Sequence, residues 1–181
     1  MLSRSFFAFA ALSLSAVAPA YGQAADDLAS KIINDPSAPS VNGAKASLHD
    51  DPAAQGGKAL RVQVPKKGAN VWDSAVETAI PKPIKAGDQL VLMVSARLEK
   101  GEGGATATTI PYVAVQLASE PYSSLLQQSV DIGPEWKDFQ IRGTADRDYP
   151  ANSVKVTVHL ATAKQTVDVG PIVLLDLGPK K

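Results

Sequence analysis

Residues 153–160 read Ser153-Val154-Lys155-Val156-Thr157-Val158-His159-Leu160. The strict alternation predicts a β-strand with Val154, Val156, Val158 and Leu160 on one side and Ser153, Lys155, Thr157 and His159 on the other. Each buried aliphatic side chain contributes roughly 1.5 to 3 kcal/mol, whereas an exposed row of Lys, Thr and His adds almost nothing to stability. One face therefore holds the fold. The polar face is either an ordinary solvated surface, common on antiparallel sheets, or is chosen for another purpose.

Working outward from this strand, short alternating runs recur along the chain. They lie at Ala44 to His49, Ala59 to Val64, Asn70 to Ile80, Gln89 to Leu98, Thr109 to Ala118, Ser123 to Val130, Trp136 to Ile141 and Thr166 to Leu175. In the run from Thr109, Val113, Val115 and Leu117 face inward while Tyr112, Ala114 and Gln116 face outward. Thirteen Pro and thirteen Gly separate the runs and supply their turns. Lys100 to Thr108 and Arg142 to Asn152 have no periodicity and read as loops. Eight or nine strands at this spacing predict an all-β chain, a two-sheet antiparallel β-sandwich of the jelly-roll kind.

The start of the chain has a different character. Arg4, the apolar run Phe6 to Val17 and the small residues after it predict a secretory signal peptide over 1–24, with cleavage after Ala20 or Ala24. The apolar run is too short to span a bilayer. With no cysteine, the chain forms no disulfide and offers no thiol for lipid attachment. A soluble protein, periplasmic or released, is expected. Residues 25–41 read as a leader, with a helical turn at Asp27 to Ile33, ahead of one domain over 42–177. The 18 basic and 18 acidic residues balance, so there is no electrostatic reason to expect nucleic acid or an anionic membrane as partner. A monomer is expected.

The order of several motifs adds a resemblance. Gly57 to Val64 (G-K-A-L-R-V-Q-V), Val71-Trp72-Asp73, Ile84 to Arg97 (I-K-A-G-D-Q-L-V-L-M-V-S-A-R), Glu135 to Phe139 (E-W-K-D-F), the alternating Val154 to Leu160, and Thr166 to Leu174 (T-V-D-V-G-P-I-V-L) follow one another in the chain. Together they resemble the carbohydrate-binding modules of families four, nine and twenty-two, jelly-roll domains attached to many xylanases and β-glucanases. The resemblance covers about Asn42 to Leu175 and implies a concave sheet that binds a glycan chain. It places a cleft tyrosine at Tyr122, a polar cleft position at Gln116, a tryptophan at Trp72, and the polar groups of the penultimate strand at Lys155, Thr157 and His159. Asn42 stands where relatives carry an aromatic residue or arginine. Gly170 stands where relatives have an aspartate that helps hold a structural calcium. Calcium takes six to eight oxygen ligands, so the metal is not carried over, and no cofactor is expected.

Recognition of a sugar needs an aromatic plane for the C–H faces of the ring and convergent polar side chains for its hydroxyls. Trp72 and Tyr122 are the available planes, with Tyr112 a third because it shares the outward side with Gln116. Trp72 reads equally well as a strand residue buried in the sandwich. Trp136, with Phe139 behind it, reads as packing, and His49 beside Asp50 and Asp51 as a solvated turn residue. Met93, Ser95 and Arg97 form an outward row that borders the cleft or lies on the opposite side. These readings lead to non-catalytic binding of one β-linked polysaccharide chain, xylan or β-glucan, in support of glycoside hydrolases. A protein-docking sandwich is the alternative. Glycoside cleavage is the weakest reading, because it needs two carboxylates facing each other across the bond. Asp73 and Glu77 share a strand face by spacing, but nothing opposite them is identifiable.

Overall fold

The computed structural model describes residues 27–180; the signal peptide expected over 1–24 lies outside the described residues. The chain is all-β, two five-stranded antiparallel sheets packed face to face. The strands are β1 (Ser40–Asn42), β2 (Lys45–Asp50), β3 (Lys58–Val64), β4 (Ala75–Ala79), β5 (Asp88–Lys100), β6 (Thr108–Leu117), β7 (Ser124–Ile132), β8 (Lys137–Thr144), β9 (Val154–His159) and β10 (Gln165–Pro179). One sheet runs β1-β4-β9-β6-β7 and the other β2-β3-β10-β5-β8. Among the described residues only β2–β3 and β6–β7 are consecutive strands paired in one sheet, so most connections cross between sheets, as in a jelly roll.

The alternation of β9 does what its sequence predicts. Val154, Val156, Val158 and Leu160 are 1% exposed or less and join a core that includes Val76, Val113 and Val115 of the same sheet and Val62, Leu92 and Leu174 of the other. At about 1.5 to 3 kcal/mol per side chain, this central strand anchors the sheet it divides. Its other row faces the outer side of the sheet between β4 and β6, but Thr157 and His159 are themselves buried there and are not the solvated surface the alternation suggested.

Three details differ from expectation. The run Asn70 to Ile80 is not one strand: Val71–Asp73 forms a single 3-10 turn and β4 starts at Ala75. The Asp73 carboxylate accepts a hydrogen bond from the Asn70 backbone N–H (3.0 Å), which winds the turn and takes Asp73 off the face that Glu77 occupies. β10 continues past Leu175 to Pro179 with a register shift between Val169 and Ile172, where Pro171 has no N–H for the ladder. Within 27–41, residues 27–30 are helical, Ile33 is buried in the core, and the Asn34 side chain is bonded to β10, donating to the Ile172 carbonyl (2.8 Å) and accepting from the Leu174 N–H (2.8 Å). Among the described residues no helix is long and apolar enough to cross a membrane.

Candidate functional site

The site grows out of three rungs across β4, β9 and β6. Ala75, His159 and Tyr112 face one another on the first, Glu77, Thr157 and Ala114 on the second, and Ala79, Lys155 and Gln116 on the third. Period-two geometry puts all nine on the outer face of the sheet. Alanines at three of the nine positions leave space between the larger side chains. The result is a groove of about 640 Å³ lined by Trp72, Glu77, Tyr112, Gln116, Tyr122, Lys155 and His159, with Val71 and Pro121 at its margins.

Its two most exposed rings come from connections rather than strands. Trp72 projects from the 3-10 turn and is 59% exposed. That turn is held from outside: Ala161 N–H donates to the Val71 carbonyl (3.1 Å), and Leu160 N–H to that of Ser74 (2.8 Å). The Ser74 hydroxyl in turn donates to the Gly43 carbonyl (2.9 Å). Tyr122 projects from the β6–β7 connection, 48% exposed, on a backbone with φ of 55°. Left-handed backbone costs a non-glycine residue roughly 1–2 kcal/mol. Here the Tyr122 N–H donates to the Ser119 carbonyl (2.9 Å) and Leu117 N–H to that of Ser123 (3.0 Å), fixing the turn.

The floor is polar and internally paired. Lys155 Nζ donates to Glu77 Oε1 (2.6 Å), Asn42 Nδ2 to Glu77 Oε2 (3.2 Å) and Thr157 Oγ1 to Glu77 Oε1 (3.5 Å). The Lys155 ammonium also lies 5.9 Å from the centre of the Tyr122 ring, within cation–π range. At the other end His159 stacks on Tyr112 with ring centres 4.7 Å apart and planes 22° apart. Trp72 meets the same imidazole edge-on at 6.2 Å. Burial lowers the His159 pKa, with Glu77 pulling it up and Lys155 down. Burial thus favours the neutral imidazole, whose Nδ1 has no hydrogen-bond partner among the described residues.

Of the seven residues singled out from sequence, six line this groove: Trp72, Tyr112, Gln116, Tyr122, Lys155 and His159. Thr157 does not. It is fully buried beneath the Glu77 carboxylate and supports the floor instead of lining it. Trp72 is an exposed ring and not a core side chain, while one face of Tyr112 is taken by His159. Glu77 is the residue that sequence reading left without a role. The alternation in Ala75-Val76-Glu77-Thr78-Ala79 puts it outward, but its partners Asn42 and Lys155 lie 35 and 78 residues away in the chain.

Met93, Ser95 and Arg97 belong to β5, so they lie on the other sheet, away from the groove. There Asp168 stands between Arg61 and Arg97 on one rung, fully buried. Arg61 donates to both of its oxygens (2.8 and 2.9 Å) and Arg97 to Oδ2 (2.9 Å). Arg97 also pairs with Asp51 (3.0 Å), which accepts a hydrogen bond from Trp136 Nε1 (3.3 Å). His49 is therefore a strand residue, its Nε2 3.8 Å from Asp168, and not a solvated turn. His49, Asp51 and Asp168 could each turn one ligand atom toward a common point. Two guanidinium groups already balance these carboxylates, however, and Gly170 has no carboxylate to add, so the donor set does not fit the calcium that the family resemblance implies.

No family model matches the chain, and no curated protein matches it significantly. Solved structures share the fold. A CBM4 structure superposes with a TM-score of 0.60 at 20% identity, over 78% of this chain and 96% of that one. The N-terminal cellulose-binding domain of Cellulomonas fimi β-1,4-glucanase C gives 0.57 at 19% identity, over 80% and 91%. The CBM22-1 xylan-binding domain of Paenibacillus barcinonensis Xyn10C gives 0.55 at 12%, over 78% and 87%. Other chains with this fold are longer enzymes, of which the superposed part is a minor share. At these identities the likeness shows the fold alone, a jelly roll shared with those domains.

Proposed function

We propose that this chain is a non-catalytic carbohydrate-binding module that holds one β-linked polysaccharide chain, of xylan or β-glucan type, in the groove over β4, β9 and β6. One observation carries this reading: two exposed rings, Trp72 and Tyr122, stand at opposite ends of a single groove with a polar floor between them. His159 and Lys155, the floor residues beneath them, are four positions apart on β9, about 13 Å at strand rise. That span accommodates a few sugar rings in a row rather than a single one. The groove form suits a soluble chain. The similar domains named above as xylan-binding and cellulose-binding support the ligand class.

One or two ring contacts of about 0.5–1.5 kcal/mol and several hydrogen bonds of similar net value, offset by ordering, give micromolar to millimolar affinity. Weak, reversible attachment is what a module serving a glycoside hydrolase requires. Glu77 is the one carboxylate among the described residues lining the groove, and Lys155 neutralises it, which argues against glycoside cleavage there. Export is part of the proposal and rests on the signal-like start of the chain; the module acts in the periplasm or outside the cell, as a monomer.

Isothermal titration with xylohexaose and cellohexaose tests this. Heat of binding with at least one of them is expected, and a folded protein that gives no heat with either overturns the proposal.

A further inference from the structure

A second concave surface lies at one end of the sandwich, on the sheet that does not carry the aromatic groove. It is a cavity of about 790 Å³, framed by the corner between β1 and β2, the loop after β5 and the turn before β10. Its wall is one rung of four neighbouring strands. Lys45 of β2 faces Gln63 of β3, Gln63 faces Thr166 of β10, and Thr166 faces Lys100 of β5. A lysine thus stands at each flank with an amide and a hydroxyl between them, and Lys164 adds a third ammonium at the entry to β10. Three strand spacings separate the flanking lysines, about 14 Å.

The charges on this rung differ from those on the rung of Arg61, Asp168 and Arg97. There each guanidinium is matched by carboxylates. Lys45, Lys100 and Lys164 have no carboxylate within 4.0 Å among the described residues, and Glu102 is the single acid lining the cavity. In a chain with 18 basic and 18 acidic residues, this is a local excess of unpaired cations facing a hollow. Gln165 supplies a separate observation. It is 3% exposed, its amide N–H groups donate to the Leu160 carbonyl (2.8 Å) and the Thr162 hydroxyl (3.1 Å), and its amide oxygen has no donor. Gln165 alternates with Thr166 and turns inward, so it ties the turn before β10 to the end of β9 beneath the cavity, and the ligand-facing groups are those of the lysine rung.

The chemistry selects among ligands. Among the described residues no aromatic ring lines the cavity, so a neutral sugar gains little from stacking. Ammonium groups repel cations. A single small anion meets one lysine and leaves most of the hollow and its polar centre unused. A short chain of sugar acids offers carboxylates to the lysines and hydroxyls to Gln63 and Thr166. We infer that this end of the sandwich is a second site, which binds the carboxylates and hydroxyls of a uronic-acid oligosaccharide. It is independent of the aromatic groove, and either can fail without the other.

The test uses the exported chain and trigalacturonate as probe, read by titration calorimetry and by amide NMR shifts, with the uncharged galactose trimer and inorganic sulfate in parallel. Trigalacturonate is expected to shift the amides of Gln63 and Thr166 and to bind about tenfold more weakly when salt rises from about 0.02 to about 0.3 M. The exposed substitutions Lys45→Gln, Lys100→Gln and Lys164→Gln should each weaken it roughly two- to fivefold. Their combination should weaken binding about ten- to a hundredfold and leave the melting temperature and any binding of neutral xylohexaose unchanged. Absence of binding at low salt overturns the inference, as does undiminished binding by the triple variant. Shifts confined to Tyr122 and His159 move the acidic ligand to the other groove and also overturn it. Equal affinity for sulfate, or for the galactose trimer, likewise overturns it.

Discussion

At the scale of single residues, the groove separates side chains that make contact from those that support. Trp72 and Tyr122 are more than 40% exposed and take no part in the core, so truncating either should leave the fold intact, as surface substitutions usually do. Each ring is worth about 0.5–1.5 kcal/mol against a sugar face. Trp72→Ala and Tyr122→Ala are therefore each expected to weaken xylohexaose or cellohexaose binding about three- to tenfold, with melting temperature shifted by less than about 2 °C. Calorimetric titration beside thermal melting checks both halves. Unchanged affinity in both variants would mean that the exposed rings are not the sugar platform. Thr157 is the opposite case: fully buried under Glu77, it reaches a ligand only through the carboxylate it helps to hold.

At the scale of elements, the groove depends on how its connections are pinned. Gly43, at the β1–β2 corner, has φ of 66°, and a Cβ there would lie 1.7 Å from the Asp73 carbonyl oxygen. A methyl group must displace the turn that carries Trp72. Gly43→Ala is expected to destabilise the protein by about 2 kcal/mol or more and to weaken glycan binding as well, a joint effect that Trp72→Ala does not share. Urea unfolding followed by titration of the folded variant measures both. This coupling also shows what the sequence made legible. The alternation of Val154, Val156 and Val158 and the outward set Tyr112, Ala114 and Gln116 need only a period of two, and both were readable. Trp72 was ambiguous because Asn70 to Ile80 looks like one strand, although Asn70-Val71-Trp72-Asp73 carries the polar pair that starts a turn. Glu77 stayed without a role because nothing local says that β4 lies between β1 and β9. The Asp168 rung was hidden for the same reason, since Arg61 and Arg97 come from strands 107 and 71 residues away.

At the scale of the whole molecule, the two sheets respond differently to acid. On the groove sheet, burial holds the His159 pKa below its ordinary value of 6.5. Below that value the unfolded chain takes up a proton that the folded protein refuses, so stability begins to fall. On the other sheet burial alone would raise the Asp168 carboxyl, but Arg61 and Arg97 outweigh it and hold the pKa below 3.8. The stabilisation from ionised Asp168 is complete above 3.8 and disappears as pH falls through the lower folded value. Urea unfolding across pH 3 to 8 should therefore show a plateau at neutral pH, a first decline below about 6.5 and a steeper one below about 4. Asp168→Asn leaves two guanidinium groups facing a neutral amide and is expected to cost about 3–5 kcal/mol at neutral pH, with the acid limb made shallower by Asp168's share while Asp35, Asp50, Asp73, Asp146 and Asp148, whose carboxyls are also held low, keep the rest. Asp148→Asn breaks an exposed pair with Lys85, keeps an amide oxygen that can accept from the Ala86 N–H, and should cost less than about 1 kcal/mol while keeping most of that limb. Equal costs for the two variants, or an acid limb unchanged in Asp168→Asn, would mean that the guanidinium–carboxylate rung is not what ties the second sheet together.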